Sequence, residues 1–259
     1  MGTSTRLAGP RYGGWSGAKS RLSRWTPDAD SRPDSLADGD ERTASDVATQ
    51  YRRALRDALL EDPERFGLRG AAQEAGHRLV TALDELLRPD PPLLRDLHRA
   101  APTDPAGEFV RRFVTEVGGD GRLIVDAATR RAVREVAERL VAPDGPLADP
   151  ASPSRITGEL FCALYRTFFG EMVGEFVHVL IAENVKLAVP ALVALDPTDV
   201  VAGFVADQVV KVLPDPCEEE AVREPRRPRL ADVARDLVGT TVTEALGLGD
   251  TGVELPSRC

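Results

Sequence analysis

The chain has 259 residues, 42% of them hydrophobic, 29% charged and 5% aromatic, with a formal net charge of -9. That acidity argues against a general nucleic-acid binder, which rests on a basic surface. The few aromatics leave Leu, Val and Ala to build a core from several helices. The most hydrophobic stretch, 160–195, is interrupted by Arg166, Glu171, Glu175, Glu183 and Lys186. It reads as buried core, since a membrane span needs about 20 predominantly apolar residues in a row.

In chain order, 1–42 reads as a flexible arm and linker. Through Trp25 it carries Arg6, Arg11, Lys19, Arg21 and Arg24 with no acidic residue, lacks the apolar h-region of a secretory signal, and then reverses sign at Asp28, Asp30, Asp34, Asp38, Asp40 and Glu41. Only 19–25 is expected to form a short helical turn. Helical signals begin at Ser45, a capping residue followed by Asp46, with Val47, Tyr51, Leu55 and Leu59 on one stripe until Pro63. A second helix is expected over 69–87 and a short element over 93–100. Asp104 is placed to cap a helix through Val117, and another follows over 126–141.

The Pro-, Asp- and Ser-rich stretch 142–154 is the best internal boundary. A long buried helix is expected over 156–184, with breaks at Pro190 and Pro197, and a further helix over 200–213. The stretch 214–228 reads as a charged, proline-rich linker, 230–246 as a final helix and 247–259 as a fraying tail. The fold class is therefore mainly α: an irregular multi-helix bundle behind a disordered Gly/Arg-rich N-terminal arm. Its regions are the arm 1–42, an N-terminal helical region 43–142, a hydrophobic helical core 155–213, and a final linker, helix and tail 214–259. The β-branched residues of 177–193 leave strands there as an alternative.

No sequence motif points to catalysis. Gly118-Gly119-Asp120-Gly121 lacks the Lys-Ser/Thr of a phosphate loop, and the Gly-x-Ser-x-Gly and dinucleotide fingerprints are missing. His77 and His98 read as helix-surface residues. Glu175 and His178 form a single Glu-x-x-His, where a di-iron bundle needs two with further glutamates. Glu171 and Glu175 share a helix face, where burial would raise their pKa values, and are expected to face solvent or pair with Arg166 or Lys186. Cys162, Cys217 and Cys259 are far apart and odd in number, so a disulfide framework is not expected and a reducing compartment is favoured. Cys162 reads as a core residue, Cys217 and Cys259 as exposed thiols. No metal or cofactor is expected.

The opening carries the more specific signal. Met1-Gly2-Thr3-Ser4, then Gly9-Pro10, then a Gly/Trp/Lys/Arg stretch leading into an Ala-rich helical body, resembles the B component of the Qat anti-phage defence system, the QatB-like proteins. The chain departs from forms in which a longer Pro-rich spacer with a Pro-Trp-like element follows the arm; Trp15 and Trp25 stand in that region. The resemblance implies a non-enzymatic, cytoplasmic defence component whose Gly2 is conjugated to a 7-deazaguanine by a QueC-like enzyme. A Qat ATPase and a TatD-like nuclease are the further implied partners. Thr3, Ser4, Gly9, Pro10 and Trp15 would then be the part of the arm that a partner recognises.

Two other classes compete. In one, Arg6, Arg11, Lys19, Arg21 and Arg24, interleaved with Tyr12, Trp15 and Trp25, track a nucleic-acid single strand by charge and stacking. In the other, Glu171, Glu175 and His178 join in a pocket to make an enzyme or toxin.

Overall fold

The computed structural model describes residues 14–28, 31, 35–119, 121, 123–149, 156–184, 196–223 and 228–249. Ten α-helices run through them: α1 (Gly14–Leu22), α2 (Asp38–Glu61), α3 (Leu68–Leu86), α4 (Leu97–Ala100), α5 (Pro105–Gly118), α6 (Ile124–Val141), α7 (Gly158–Asn184), α8 (Pro197–Val210), α9 (Pro216–Val222) and α10 (Leu230–Ala245). No strand occurs among the described residues, and 177–184 is helical. The rest of the stretch suspected of strands, together with Pro190, lies outside them.

Three of these helices begin the same way. Asp104-Pro105, Asp196-Pro197 and Asp215-Pro216 each set an aspartate at the N-cap and a proline at the first helical position. The carboxylate accepts from the amide of Gly107, Thr198 or Cys217, each at 2.8 Å. The proline lacks an amide that the first turn would leave unbonded. The third of these signals makes a helix, α9, inside the stretch expected to be a linker.

Helix α7 sits at the centre. It is apolar almost all round, as a helix surrounded by others must be. Phe161, Leu164, Tyr165, Phe168, Phe169, Met172, Val173, Phe176, Val177, Leu180 and Ile181 are all buried. Helices α6 and α8 flank it, and α3 and α10 also touch it. The approach of α8 is close because Gly170 and Gly174 face it. A Cβ on Gly170 would stand 2.9 Å from the Ala206 carbonyl oxygen, and one on Gly174 would stand 2.7 Å from that of Ala202. Tyr165 donates to or accepts from Thr241 at 2.7 Å, a buried link to α10. The carboxylate of Asp84 on α3 takes Arg88 on one side and, at 2.7 Å, Arg229 just ahead of α10 on the other.

Two boundaries differ from the sequence expectation. Helix α2 starts at Asp38, well before Ser45, because Asp38, Asp40 and Glu41 in its first turn suit the positive end of the helix dipole. The supposed boundary at 142–154 does not divide the packing: Leu147 is buried, its amide donates to the Leu140 carbonyl at 2.9 Å, and one hydrophobic cluster runs from Trp15 to Leu246.

Candidate functional site

Residues Gly2, Thr3, Ser4, Arg6, Gly9, Pro10, Arg11 and Tyr12 lie outside the described residues, so the conjugation site itself has no described geometry. The rest of the expected arm is largely folded. Helix α1 packs on α2 with Trp15, Ala18 and Leu22 buried. Trp15 is 5% exposed and meets the Tyr51 ring edge-on, centroids 4.8 Å apart. An indole so placed fills the core and is not offered to a partner, which corrects the expectation for Trp15. Burying it and Leu22 stabilises by about 2 kcal/mol each, enough to order a glycine-containing nine-residue helix that would not form alone.

The basic residues of α1 and of the turn after it are partly engaged within the fold. Lys19 is exposed, but Arg21 pairs with Asp46 at 3.4 Å and Arg24 donates to the Ser20 carbonyl at 2.9 Å. Trp25, the second candidate stacking ring, donates its Nε1 hydrogen to Asp40 at 2.8 Å. Asp40 also accepts from the Asp28 amide at 2.8 Å and the Ser31 hydroxyl at 2.5 Å. Burial pushes its pKa up, but the Ser31, Trp25 and Asp28 donors outweigh burial and hold it below its ordinary value. Asp40 is therefore a buried clamp that seats the connection between α1 and α2. Nothing in the linear sequence separated it from the neighbouring acidic residues.

The Glu171, Glu175 and His178 grouping does not converge. Glu171 meets Arg139 at 3.4 Å and Glu175 meets Arg131 at 3.1 Å, both across to α6. His178 turns to α8, its Nδ1 2.9 Å from Asp199. The expected partner Arg166 is engaged elsewhere. Arg166 is taken by Asp215 at 3.2 Å and the Val210 carbonyl at 2.8 Å, and Lys186 lies outside the described residues. Burial, with Glu135 adding repulsion, raises the Glu171 pKa to about 6 against the pull of Arg139. His77 is exposed, and the side chain of His98 is outside the described residues.

Cys162 and Cys217 are joined by a disulfide that ties the first turns of α7 to α9, with their Cα atoms 6.0 Å apart. This corrects the expectation of unlinked thiols. The two lie 55 residues apart in sequence, and only the packing of α9 against α7 brings them together. The cysteine argument for a reducing compartment falls with it. Asp215 lies beside the two sulfurs, within 4.8 Å. Its carboxylate is engaged by Arg166 and by the Cys217 amide, and a bonded pair of sulfurs offers no thiolate to a metal.

A site that motif reading passed over lies on α2. Thr49, Arg52, Arg53 and Arg56 recur at helical spacing on one stripe. Together with Gln208 of α8 and the end of α10 at Ala245, Leu246 and Gly247, they line a cleft of about 220 Å³ floored by Leu55 and Val173. No carboxylate among the described residues lines it. Burial lowers the pKa of Arg52 from its ordinary value, the sign of a guanidinium short of both water and counter-charge. The Nε of Arg56 is buried without a hydrogen-bond partner among the described residues.

No helix among the described residues is long and apolar enough to cross a membrane. No protein-family model, curated protein or solved structure matches the chain.

Proposed function

We propose that this chain is a non-enzymatic, QatB-like component of an anti-phage defence system, acting in the cytoplasm, which presents Gly2 to a QueC-like partner for conjugation to a 7-deazaguanine. The observation that carries the reading is the Gly2-Thr3-Ser4 and Gly9-Pro10 opening set directly ahead of a helix docked on the core. With α1 held by Trp15, Ala18 and Leu22, the body serves as a fixed handle. The roughly twelve residues between Gly2 and Gly14 can span at most about 40 Å, ample to enter another protein's active site.

The chemistry asks little of this chain beyond an amine. Once Met1 is removed, the Gly2 α-amine has a reference pKa of about 7.7–8.0, so a useful fraction is neutral near physiological pH. The partner activates the 7-deazaguanine carboxylate with ATP, releasing pyrophosphate. The amine attacks the activated carboxyl carbon, the amide C–N bond forms, adenylate departs and the amine's proton passes to solvent. The Qat ATPase and TatD-like nuclease are the further partners of this reading.

Intact mass of the chain co-expressed with a QueC-like enzyme and its carboxylate substrate tests the reading. The expected result is loss of Met1 together with the added mass of the acyl group at Gly2, abolished by Gly2→Pro. Met loss alone, with the partner enzyme demonstrably active, overturns it.

A further inference from the structure

The cleft on α2 is independent of the N-terminal reading and lies on the folded body. Its three arginines are unlike most others on that body. Arg131, Arg139, Arg166 and Arg229 each have a carboxylate within 3.4 Å. Arg52, Arg53 and Arg56 have no ion pair or hydrogen bond to any described residue, although the chain as a whole carries a net charge of -9 and has acidic groups to spare. A concave pocket in which three guanidiniums, and no carboxylate among the described residues, come together suits an anion.

The remaining walls narrow the class. Three positive charges exceed what a single carboxylate neutralises, whereas a phosphomonoester carries about two negative charges at neutral pH and accepts forked donors on three oxygens. The Thr49 hydroxyl at the same rim is already committed, donating to the Ser45 carbonyl at 2.9 Å and accepting from the Gln208 amide at 3.1 Å, so the charge of the arginines carries the recognition. The cleft wall beside the charged rim is mostly apolar, with Leu55, Val173, Ala245 and Leu246 buried behind it, a surface that free phosphate would leave uncovered. We propose that the Arg52, Arg53 and Arg56 cleft binds a small phosphate-bearing molecule, its phosphate on the three guanidiniums and its uncharged body on the apolar floor.

The test is isothermal titration calorimetry of the full chain at low ionic strength, with inorganic phosphate and adenosine monophosphate as separate probes. Saturable binding of both is expected, the nucleotide tighter than phosphate and both weakened by added salt. Arg53 is exposed, so Arg53→Glu leaves the fold intact and is expected to weaken binding about tenfold or more. Arg53→Gln combined with Arg56→Gln is expected to do at least as much. Arg131→Gln, which removes an arginine from α6, is expected to leave binding unchanged. The proposal is overturned if neither probe gives saturable heat, if both arginine variants bind like the parent chain, or if phosphate binds and the nucleotide does not.

Discussion

Asp40 is buried and Glu171 only partly so, their carboxylates are pushed in opposite directions, and the contrast sets the sign of their contributions to stability. Donors hold Asp40 down, so its contribution is present above its unfolded value and is lost as pH falls through the folded one. Glu171 is raised to about 6, so the folded state favours its protonated form. Its contribution is complete below the unfolded value and is lost as pH rises through about 6. Glu171→Gln should therefore stabilise the chain at pH 8 by on the order of 1 kcal/mol, the attraction of Arg139 being already included in the net shift. The gain should vanish as the pH is lowered toward the ordinary glutamate value. Denaturant unfolding of parent and variant across that range checks it, and a gain that persists undiminished in acid would count against the assignment. At this scale the sequence said that Glu171 lay in an apolar run and that burial would raise its pKa. It did not name Arg139 or Glu135 as the neighbours, because both come from another helix.

At the scale of the element, the α7–α8 contact depends on two positions without side chains. Gly174 meets the backbone oxygen of Ala202, which cannot swing away as a flexible side chain would. Gly174→Ala should push the helices apart and cost about 1–3 kcal/mol by overpacking, outweighing the gain in helix propensity that alanine usually brings. Gly203→Ala on α8, where an added Cβ meets nothing within 4 Å, should be neutral or mildly stabilising. Thermal unfolding of the pair distinguishes packing from propensity. Most helices were legible in the chain because apolar spacing and Asp caps are local signals: Asp104 was read as a cap and performs as one. Helix α1 was missed because glycine and serine, at Gly14, Ser16, Gly17 and Ser20, interrupt it, although Trp15, Ala18 and Leu22 recur at i, i+3 and i+7. Helix α9 was missed because 214–228 was read as a proline-rich linker, whereas Pro216 is the first helical residue after the Asp215 cap.

For the molecule as a whole, the Cys162–Cys217 bond closes a loop of 55 residues that takes in the rest of α7 and all of α8. Such a cross-link stabilises mainly by restricting the unfolded chain, typically by about 2–4 kcal/mol. Under oxidising conditions, Cys217→Ser should lower the melting temperature by on the order of 5–10 °C, and a reductant should have the same effect on the parent chain but none on the variant. Thiol titration of the oxidised, denatured chain should find one free thiol among the three cysteines; three would show that the pair had not formed. In a reducing cytoplasm the same pair is expected as the dithiol, leaving α9 held by packing and by the Arg166–Asp215 ion pair at its N-cap. Neither this pairing nor the arginine cleft could be read from linear order, since each joins residues from separate helices. The arginine stripe of α2 was nonetheless written in the sequence at positions 52, 53 and 56.

The docking of α1 also decides where the chain can be edited. A deletion or fusion that ends before Gly14 leaves every described core residue in place. One that runs on through Leu22 removes Trp15, Ala18 and Leu22 and uncovers Tyr51 and its neighbours on α2. Loss of function after so long a deletion would report an opened hydrophobic face, and would say nothing about the amine at the front of the chain.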